Sequence, residues 1–294
     1  MNNSMIVTGL IGYPTDHSIS PMLFNTFAKT KNLEYSHVKL NVFPRRGNLK
    51  KAIDGLVALG VKGVNVTIPY KMDMLKHVDK ISNEAKNIGA INTIVNRSGI
   101  LYGYNTDSYG AIMAIENSLS RKLNKRDRVF VIGTGGASRA IVYGLLKKQC
   151  IVCVAYRNPK SLRTKKFIKD YKQKVKFISL EGNILQEIVN SNIVCNTTNV
   201  GMFPKYNDTI VSRKMLLTAN KKSPFSEKMF FDVIFNPLET KLLKLSKNLG
   251  AKTQGGLDMM IYQGTLAFNL WTGYKIDKEV IDKTRRMLIK KYDK

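Results

Sequence analysis

The sequence predicts an α/β protein of two domains. Three observations carry that expectation. At 294 residues the chain exceeds the roughly 100 to 200 residues of one domain, which leaves room for two ordinary cores. From Met5 to about Tyr104, short β-branched runs alternate with segments that repeat apolar residues at helical spacing. Near Arg128 a second strand-and-helix series begins, and it opens on a glycine-rich turn.

In the first series MIVTGLIG, YSHVKLNV, VKGVNVTI and INTIV read as strands, and Pro21 to Lys31 and Leu49 to Leu59 read as helices. Ser20 before Pro21 looks like an N-cap followed by proline at the first helical position, and Gly60 looks like a helix stop. The RSG between INTIV and ILYGY is a hairpin turn signal. Asp107 opens DSYGAIMAI, where an aspartate suits a helix start. The charge-dense SRKLNKRDR then reads as the junction between the halves.

In the second series RVFVIG is a buried strand, GTGGAS a tight turn and RAIVYGLLKK a helix. CIVCVAY, VKFIS, NIVCNTT and MFFDVIF supply further strands, with a basic helix after the first of them. Helical patterns at Leu238 to Leu249, Leu257 to Trp271 and Lys278 to Lys290 close the chain. Cys150 and Cys153 lie three apart on a predicted strand and so point to opposite faces, which argues against a redox pair or half a zinc site. His17, His37 and His77 are scattered and match no metal pattern, so no metal is expected.

Composition excludes whole classes. With 44% hydrophobic and 23% charged residues, the chain is neither disordered nor a low-complexity scaffold. Three cysteines are too few for a disulfide framework. No stretch nears the ~20 apolar residues of a membrane span, and MNNSMIVTGL lacks the pattern of an export signal, so a cytoplasmic location is expected. The 48 Lys+Arg against 21 Asp+Glu give a net charge of +27, which concentrates anionic partners around the molecule.

The glycine-rich turn narrows the kind of anion. Gly133, Gly135 and Ser138 occupy the spacing G-x-G-x-x-G/A directly after a strand and at the start of a helix. In that setting small residues let the backbone approach a pyrophosphate, which the helix N-terminus favours. An acid at the end of the next strand would bind the ribose 2′-hydroxyl of NAD, whereas NADP needs a cation for its 2′-phosphate. Here that strand ends AYRNPKSLR, no acid occurs from Arg128 through Lys169, and Arg157 stands where the acid would be. Lys160 and Arg163 are candidate supports, although an exposed charged helix reads the same way.

Seven blocks now combine: SISP at Ser18 to Pro21, GVNVTIPYK at Gly63 to Lys71, AINT at Ala90 to Thr93, YNTD at Tyr104 to Asp107, GTGGASRA at Gly133 to Ala140, NTTNVGM at Asn196 to Met202 and GGLDMMIYQG at Gly255 to Gly264. In this order, from about Met5 to Met287, they resemble the shikimate dehydrogenase family. The resemblance implies reversible NADPH-dependent reduction of 3-dehydroshikimate to shikimate, a step toward chorismate and the aromatic amino acids. It implies Lys71 and Asp107 as the catalytic pair, with Ser18, Ser20, Thr67, Asn92, Gln263 and the position of Phe235 on the substrate. It assigns the cofactor to Gly133, Thr134, Gly135, Gly136, Ala137, Tyr156, Arg157, Asn158, Lys160, Ser161, Val233, Gly256 and Met259. The implied architecture is a substrate-binding domain from both chain ends, residues 1–107 plus 256–294, around an inserted Rossmann-like NADP-binding domain at 108–255, with the substrate in a cleft between them. The implied assembly is a monomer or homodimer.

Three residues depart from the family pattern. Tyr156 stands where asparagine is frequent, Thr134 where alanine is common, and Phe235 where a substrate-side tyrosine is usual. The chemistry suits the pair: a ketone reduced by hydride leaves an alkoxide that needs a proton from a positioned acid, and a lysine ammonium oriented by a carboxylate supplies one. Read alone, Lys71 is one surface lysine among many and Asp107 a helix cap. Asn92 and Gln263 alone read as amides bonded to backbone, and Met259 as helix core. Three other readings remain: a quinate/shikimate dehydrogenase using NAD or NADP; a basic nucleic-acid-binding protein, for which the sequence shows no recognisable module; and a non-catalytic small-molecule sensor on the same fold, against which the presence of both Lys71 and Asp107 argues.

Overall fold

The computed structural model describes residues 5–292, which form two compact α/β units. One comprises 5–107 and Gln263–Leu288; the other comprises Ser108–Tyr262 and 289–292. The first unit therefore joins the N-terminal segment to Gln263–Leu288 near the C-terminus, while the last described residues, 289–292, fall in the second unit.

Its elements are β1 (Ile6–Gly12), α1 (Ser20–Thr30), β2 (Tyr35–Asn41), α2 (Asn48–Ala58), β3 (Gly63–Val66), β4 (Lys80–Ile81), α3 (Asn83–Ile88), β5 (Thr93–Arg97) and β6 (Ile100–Tyr104). Their sheet runs β2-β1-β3-β5-β6-β4. β1 pairs parallel with β2 and β3, whereas β5 is antiparallel to β3 and β6. The hairpin predicted at RSG is present: Arg97 pairs with Ile100, and Ser98 and Gly99 both take positive φ, the conformation that matches a two-residue turn to strand twist. Ile11, Ile53, Val64, Val66, Met74 and Ile94 make the core on one side of the sheet. On the other side Phe24 packs on Trp271, whose indole N–H donates to the Ile94 carbonyl at 2.8 Å.

One local reading is corrected. Ser20 does not cap α1; Ile19 is the N-cap residue and no side chain caps there. The Ser20 backbone N–H instead donates to Ser18 Oγ at 3.2 Å, while the Ser18 hydroxyl donates to Ser20 Oγ at 3.1 Å. The proline still occupies the first turn, where its missing N–H costs nothing.

The second unit contains the rest of α4 (Asp107–Leu119), then β7 (Arg128–Ile132), α5 (Gly136–Lys147), β8 (Ile151–Tyr156), α6 (Leu162–Tyr171), β9 (Lys176–Ser179), α7 (Ile184–Asn190), β10 (Ile193–Asn196), α8 (Arg213–Lys222), β11 (Met229–Asp232), α9 (Lys241–Lys247) and β12 (Lys252–Gln254). Two helices, α10 (Gly256–Thr272) and α11 (Lys278–Tyr292), contain the later unit boundaries. All pairings in the sheet β12-β11-β10-β7-β8-β9 are parallel. Every residue of β10 and β11 is buried, which explains their continuous apolar runs. Strand order reverses between β7 and β10, so the carboxyl ends of these two strands flank the crevice where such sheets bind ligands.

The helix predicted over Leu238 to Leu249 is shorter, because Thr240 Oγ1 accepts from the Leu243 N–H and starts α9 there. SRKLNKRDR is an ordered lead-in to β7: Arg121 pairs with Asp127 at 2.6 Å and Lys122 with Glu116 at 2.8 Å. Cys150 and Cys153 are buried free thiols, and burial pushes both up to about 12. Among the described residues, no helix is long and apolar enough to cross a membrane.

Candidate active site

In the first unit, four predicted site residues meet directly. Lys71 follows the β3 strand and its Nζ lies 2.5 Å from Asp107 Oδ2. Asp107, at the first position of α4, is 5% exposed, so its charge is held away from bulk water and opposite an ammonium. The Asn92 amide, just before β5, donates to Asp107 Oδ1 at 2.8 Å and reaches Gln263 Oε1 at 3.3 Å. Gln263 lies on α10 at 9% exposure. The carboxylate is thus bonded on one oxygen by a cation and on the other by a neutral amide, which fixes its orientation.

Thr106 ties the group together. Its backbone N–H donates to Asn92 Oδ1 at 2.7 Å and its hydroxyl to Gln263 Oε1 at 3.1 Å. Thr93 adds a bond to Asn92 Oδ1 at 3.0 Å, and the Asp107 N–H is received by Asn105 Oδ1 at 3.1 Å. Thr93, Asn105 and Thr106 escaped the sequence reading as site residues, although each sits inside the AINT or YNTD blocks. The Lys71 side chain retains 21% exposure. Its ammonium is therefore ordered by Asp107 yet open to a ligand, the arrangement a general acid needs.

The other residues implied for the substrate are placed as follows. Ser18 and Ser20 bond to each other at the start of α1, and Thr67 is half-buried where the chain leaves β3. Phe235 belongs to the second unit, where its ring meets Tyr292 edge-on at 6.2 Å.

The second unit carries the glycine turn. Gly133 directly follows β7 with φ +118, and a Cβ there would lie 2.6 Å from Thr197 Oγ1. Gly135 is the N-cap of α5 with φ −84, and a Cβ there would meet nothing within 4 Å. That open position next to the N–H groups of Gly136 and Ala137 fits a dinucleotide pyrophosphate. Ser138 locks the turn by donating from Oγ to the Gly133 carbonyl at 2.7 Å. Thr134 is hydroxyl-bonded to Thr164 on α6 at 3.1 Å, so this departure from the family pattern adds a tie between turn and helix.

Tyr156 is half-buried at the end of β8, and Arg157, Asn158 and Lys160 follow it exposed. Asn158 Oδ1 accepts from the Lys160 N–H at 2.9 Å, and Ser161 is the N-cap residue of α6. Two cations in this short loop, with no acid in its sequence, fit a 2′-phosphate. Val233 is half-buried, and a Cβ on Gly256 would come within 2.1 Å of the Val233 carbonyl oxygen, so the backbone just after β11 touches the start of α10. Met259 is buried on α10 at 7% exposure.

Residues 10–94 match the model described as the shikimate dehydrogenase substrate binding domain, and residues 256–284 match the shikimate 5′-dehydrogenase C-terminal domain. The shikimate dehydrogenase (NADP(+)) of Methanocaldococcus jannaschii is 39% identical over 287 residues, covering 96% of each chain. The chain belongs to the shikimate dehydrogenase family. A crystal structure of a shikimate dehydrogenase in complex with NADP+ matches with a TM-score of 0.85 at 37% identity, over 98% of this chain and 97% of that one. The chain is also similar to a quinate dehydrogenase from Corynebacterium glutamicum in complex with NAD, with a TM-score of 0.83 at 28% identity over 97% of this chain and 99% of that one.

Proposed function

We propose that this chain catalyses the reversible NADP-dependent interconversion of shikimate and 3-dehydroshikimate, with Lys71 and Asp107 as its catalytic pair. The supporting observation is the network in which Asp107 receives Lys71 Nζ on one oxygen and Asn92 on the other. Reduction of the ketone turns one C=O into H–C–O–H and consumes one hydride and one proton. NADPH supplies the hydride when bound. Lys71 gives its proton to the developing alkoxide oxygen, and Asp107 holds the ammonium and accepts from a neighbouring hydroxyl of the ring. A positioned acid of this kind contributes on the order of 10²- to 10⁴-fold in rate.

Ser18, Ser20, Thr67, Asn92 and Gln263 bind the substrate's carboxylate and hydroxyls, and Phe235 lines it without a hydroxyl contact. The substrate-binding domain is residues 1–107 plus 256–294, and the NADP-binding domain is 108–255. Gly133 to Ala137 cradle the pyrophosphate; Arg157 with Lys160 receives the 2′-phosphate; Asn158 and Ser161 support that loop; Tyr156 stacks on the adenine; Val233, Gly256 and Met259 lie along the nicotinamide half. The partner is a small molecule rather than nucleic acid or membrane, the location is cytoplasmic, and the assembly is a monomer or homodimer.

The similarity to a quinate dehydrogenase favours one second reading, a quinate/shikimate enzyme accepting NAD. Incubating the protein with shikimate or quinate and with NADP or NAD, in all four combinations, while following absorbance of the reduced nicotinamide, separates the two. Shikimate with NADP should be fastest. Turnover in no combination overturns both readings, and equal rates with quinate and NAD favour the second.

A further inference from the structure

Asp232 closes β11 with no exposed surface, a costly place for a carboxylate, and it carries no role in the reaction just described. Its oxygens are fully engaged. Oδ1 accepts from the Ile234 N–H at 3.0 Å, and Oδ2 accepts from Asn196 Nδ2 at 3.0 Å and from the Thr240 hydroxyl at 2.9 Å. Burial is the largest influence on the acid and pushes it up to about 6, with these three donors holding it back from going further. At neutral pH it therefore remains mostly an anionic acceptor.

The partners form a chain leading toward the strand-order reversal. Asn196 ends β10 directly opposite Asp232 in register. With its Nδ2 held by Asp232, its Oδ1 faces forward and accepts both the backbone N–H of Thr198 at 3.0 Å and the Thr198 hydroxyl at 2.8 Å. Thr198 Oγ1 in turn accepts from the Val200 N–H at 3.1 Å. The segment fixed in this way flanks the glycine turn: Thr197 Oγ1 donates to the Ile132 carbonyl at 2.7 Å, and Thr197 and Thr198 are the side chains that crowd Gly133. On its other side, Asp232 fixes Ile234, whose carbonyl accepts from the Gly256 N–H at 2.9 Å.

We propose that Asp232 is a positioning residue for the cofactor crevice, holding the Asn196–Val200 segment against the glycine turn and Ile234 against the start of α10, and so setting NADP affinity without touching the cofactor. This rests on the proposed NADP site. An aspartate is the residue that serves here because its two oxygens must accept from three donors on three segments, whereas an asparagine would turn an N–H₂ toward Thr240 or Asn196. That conflict would rotate Asn196 and release Thr198.

The test uses the full-length protein and direct NADP binding beside steady-state kinetics for the parent, Asp232→Asn, Thr198→Val and the double variant. Asp232→Asn should raise the NADP Kd and KM at least tenfold, while kcat at saturating NADP and the shikimate KM stay within about twofold. The double variant should be no worse than Asp232→Asn alone, because both substitutions break one chain of contacts. If Asp232→Asn does not fold, Thr198→Val alone should still raise the NADP KM severalfold with an unchanged shikimate KM. An unaltered NADP Kd in Asp232→Asn, an unaltered NADP KM in Thr198→Val, or an equal loss in kcat and both KM values overturns the proposal. A parent that turns over shikimate with NAD but does not bind NADP overturns the cofactor assignment itself, and this inference with it.

Discussion

Replacing Gly135 with alanine separates the folding role of the glycine turn from its binding role. At Gly135 φ is −84, which alanine adopts without strain, and the added Cβ meets no atom within 4 Å. Folding should therefore be unaffected or gain about 0.4–1 kcal/mol from a less flexible unfolded chain. The same methyl fills the space through which a phosphate would approach the α5 N-terminus, and displacing that group should weaken NADP at least tenfold, about 1.4 kcal/mol. Gly133→Ala is the control. It forces alanine to φ +118 and drives a Cβ to 2.6 Å from Thr197 Oγ1, costing about 1–3 kcal/mol of backbone strain and about 1 kcal/mol for the displaced Thr197 hydrogen bond. In a unit of this size that lowers Tm by on the order of 10 °C. Thermal unfolding and NADP titration of both variants decide the matter. Undiminished NADP binding in Gly135→Ala, or a Tm loss matching that of Gly133→Ala, would refute the reasoning.

Three other outcomes follow from the same geometry. Arg157→Ala should raise the KM for NADP far more than for NAD, and equal effects would remove the 2′-phosphate assignment. Gln263→Ala should weaken shikimate binding by roughly 0.5–3 kcal/mol and leave NADP binding intact, as calorimetry with each ligand would show. His37 is 2% exposed among Thr8, Tyr35, Phe24 and Trp271, and burial lowers it to about 3. Between its ordinary value of about 6.5 and about 3, the unfolded chain binds this proton and the folded one does not. Stability should therefore decrease as pH is lowered from about 6.5 toward about 3, by up to about 1.4 kcal/mol per pH unit. His37→Phe should flatten that slope in denaturant unfolding measured from pH 7 to 4; an unchanged slope would show that His37 does not carry it.

Legibility in the sequence followed the range of each interaction. The parallel strands of the second unit were visible because burial on both faces leaves unbroken apolar runs, and the glycine turn because its spacing is local. The hairpin at Ser98 and Gly99 was equally plain. Short elements were not: β4 and β12 have two and three residues, and α3, α7 and α8 were passed over even though Ser82, Asn183 and Ser212 cap them with side-chain bonds. Ser20 misled because Ser-Pro has the pattern of a cap, whereas α1 starts one residue earlier, with Ile19 at the cap position, and the Ser20 hydroxyl bonds locally to Ser18 two residues back. Asn92 and Gln263 are 171 positions apart, a distance no local pattern spans. Lys71, among 48 Lys+Arg, stood out through family resemblance alone until the fold set Asp107 beside it.

The central claim is that the Lys71–Asp107 pair moves the proton. Its most direct test is kcat of Lys71→Ala with shikimate and NADP both saturating, beside the variant's NADP Kd. The expected result is a kcat lower by at least ~10²-fold, the lower end for general acid catalysis, with the NADP Kd unchanged because Lys71 belongs to the unit without the glycine turn. A kcat within a few-fold of the parent would contradict the account and leave Lys71 as a binding residue only.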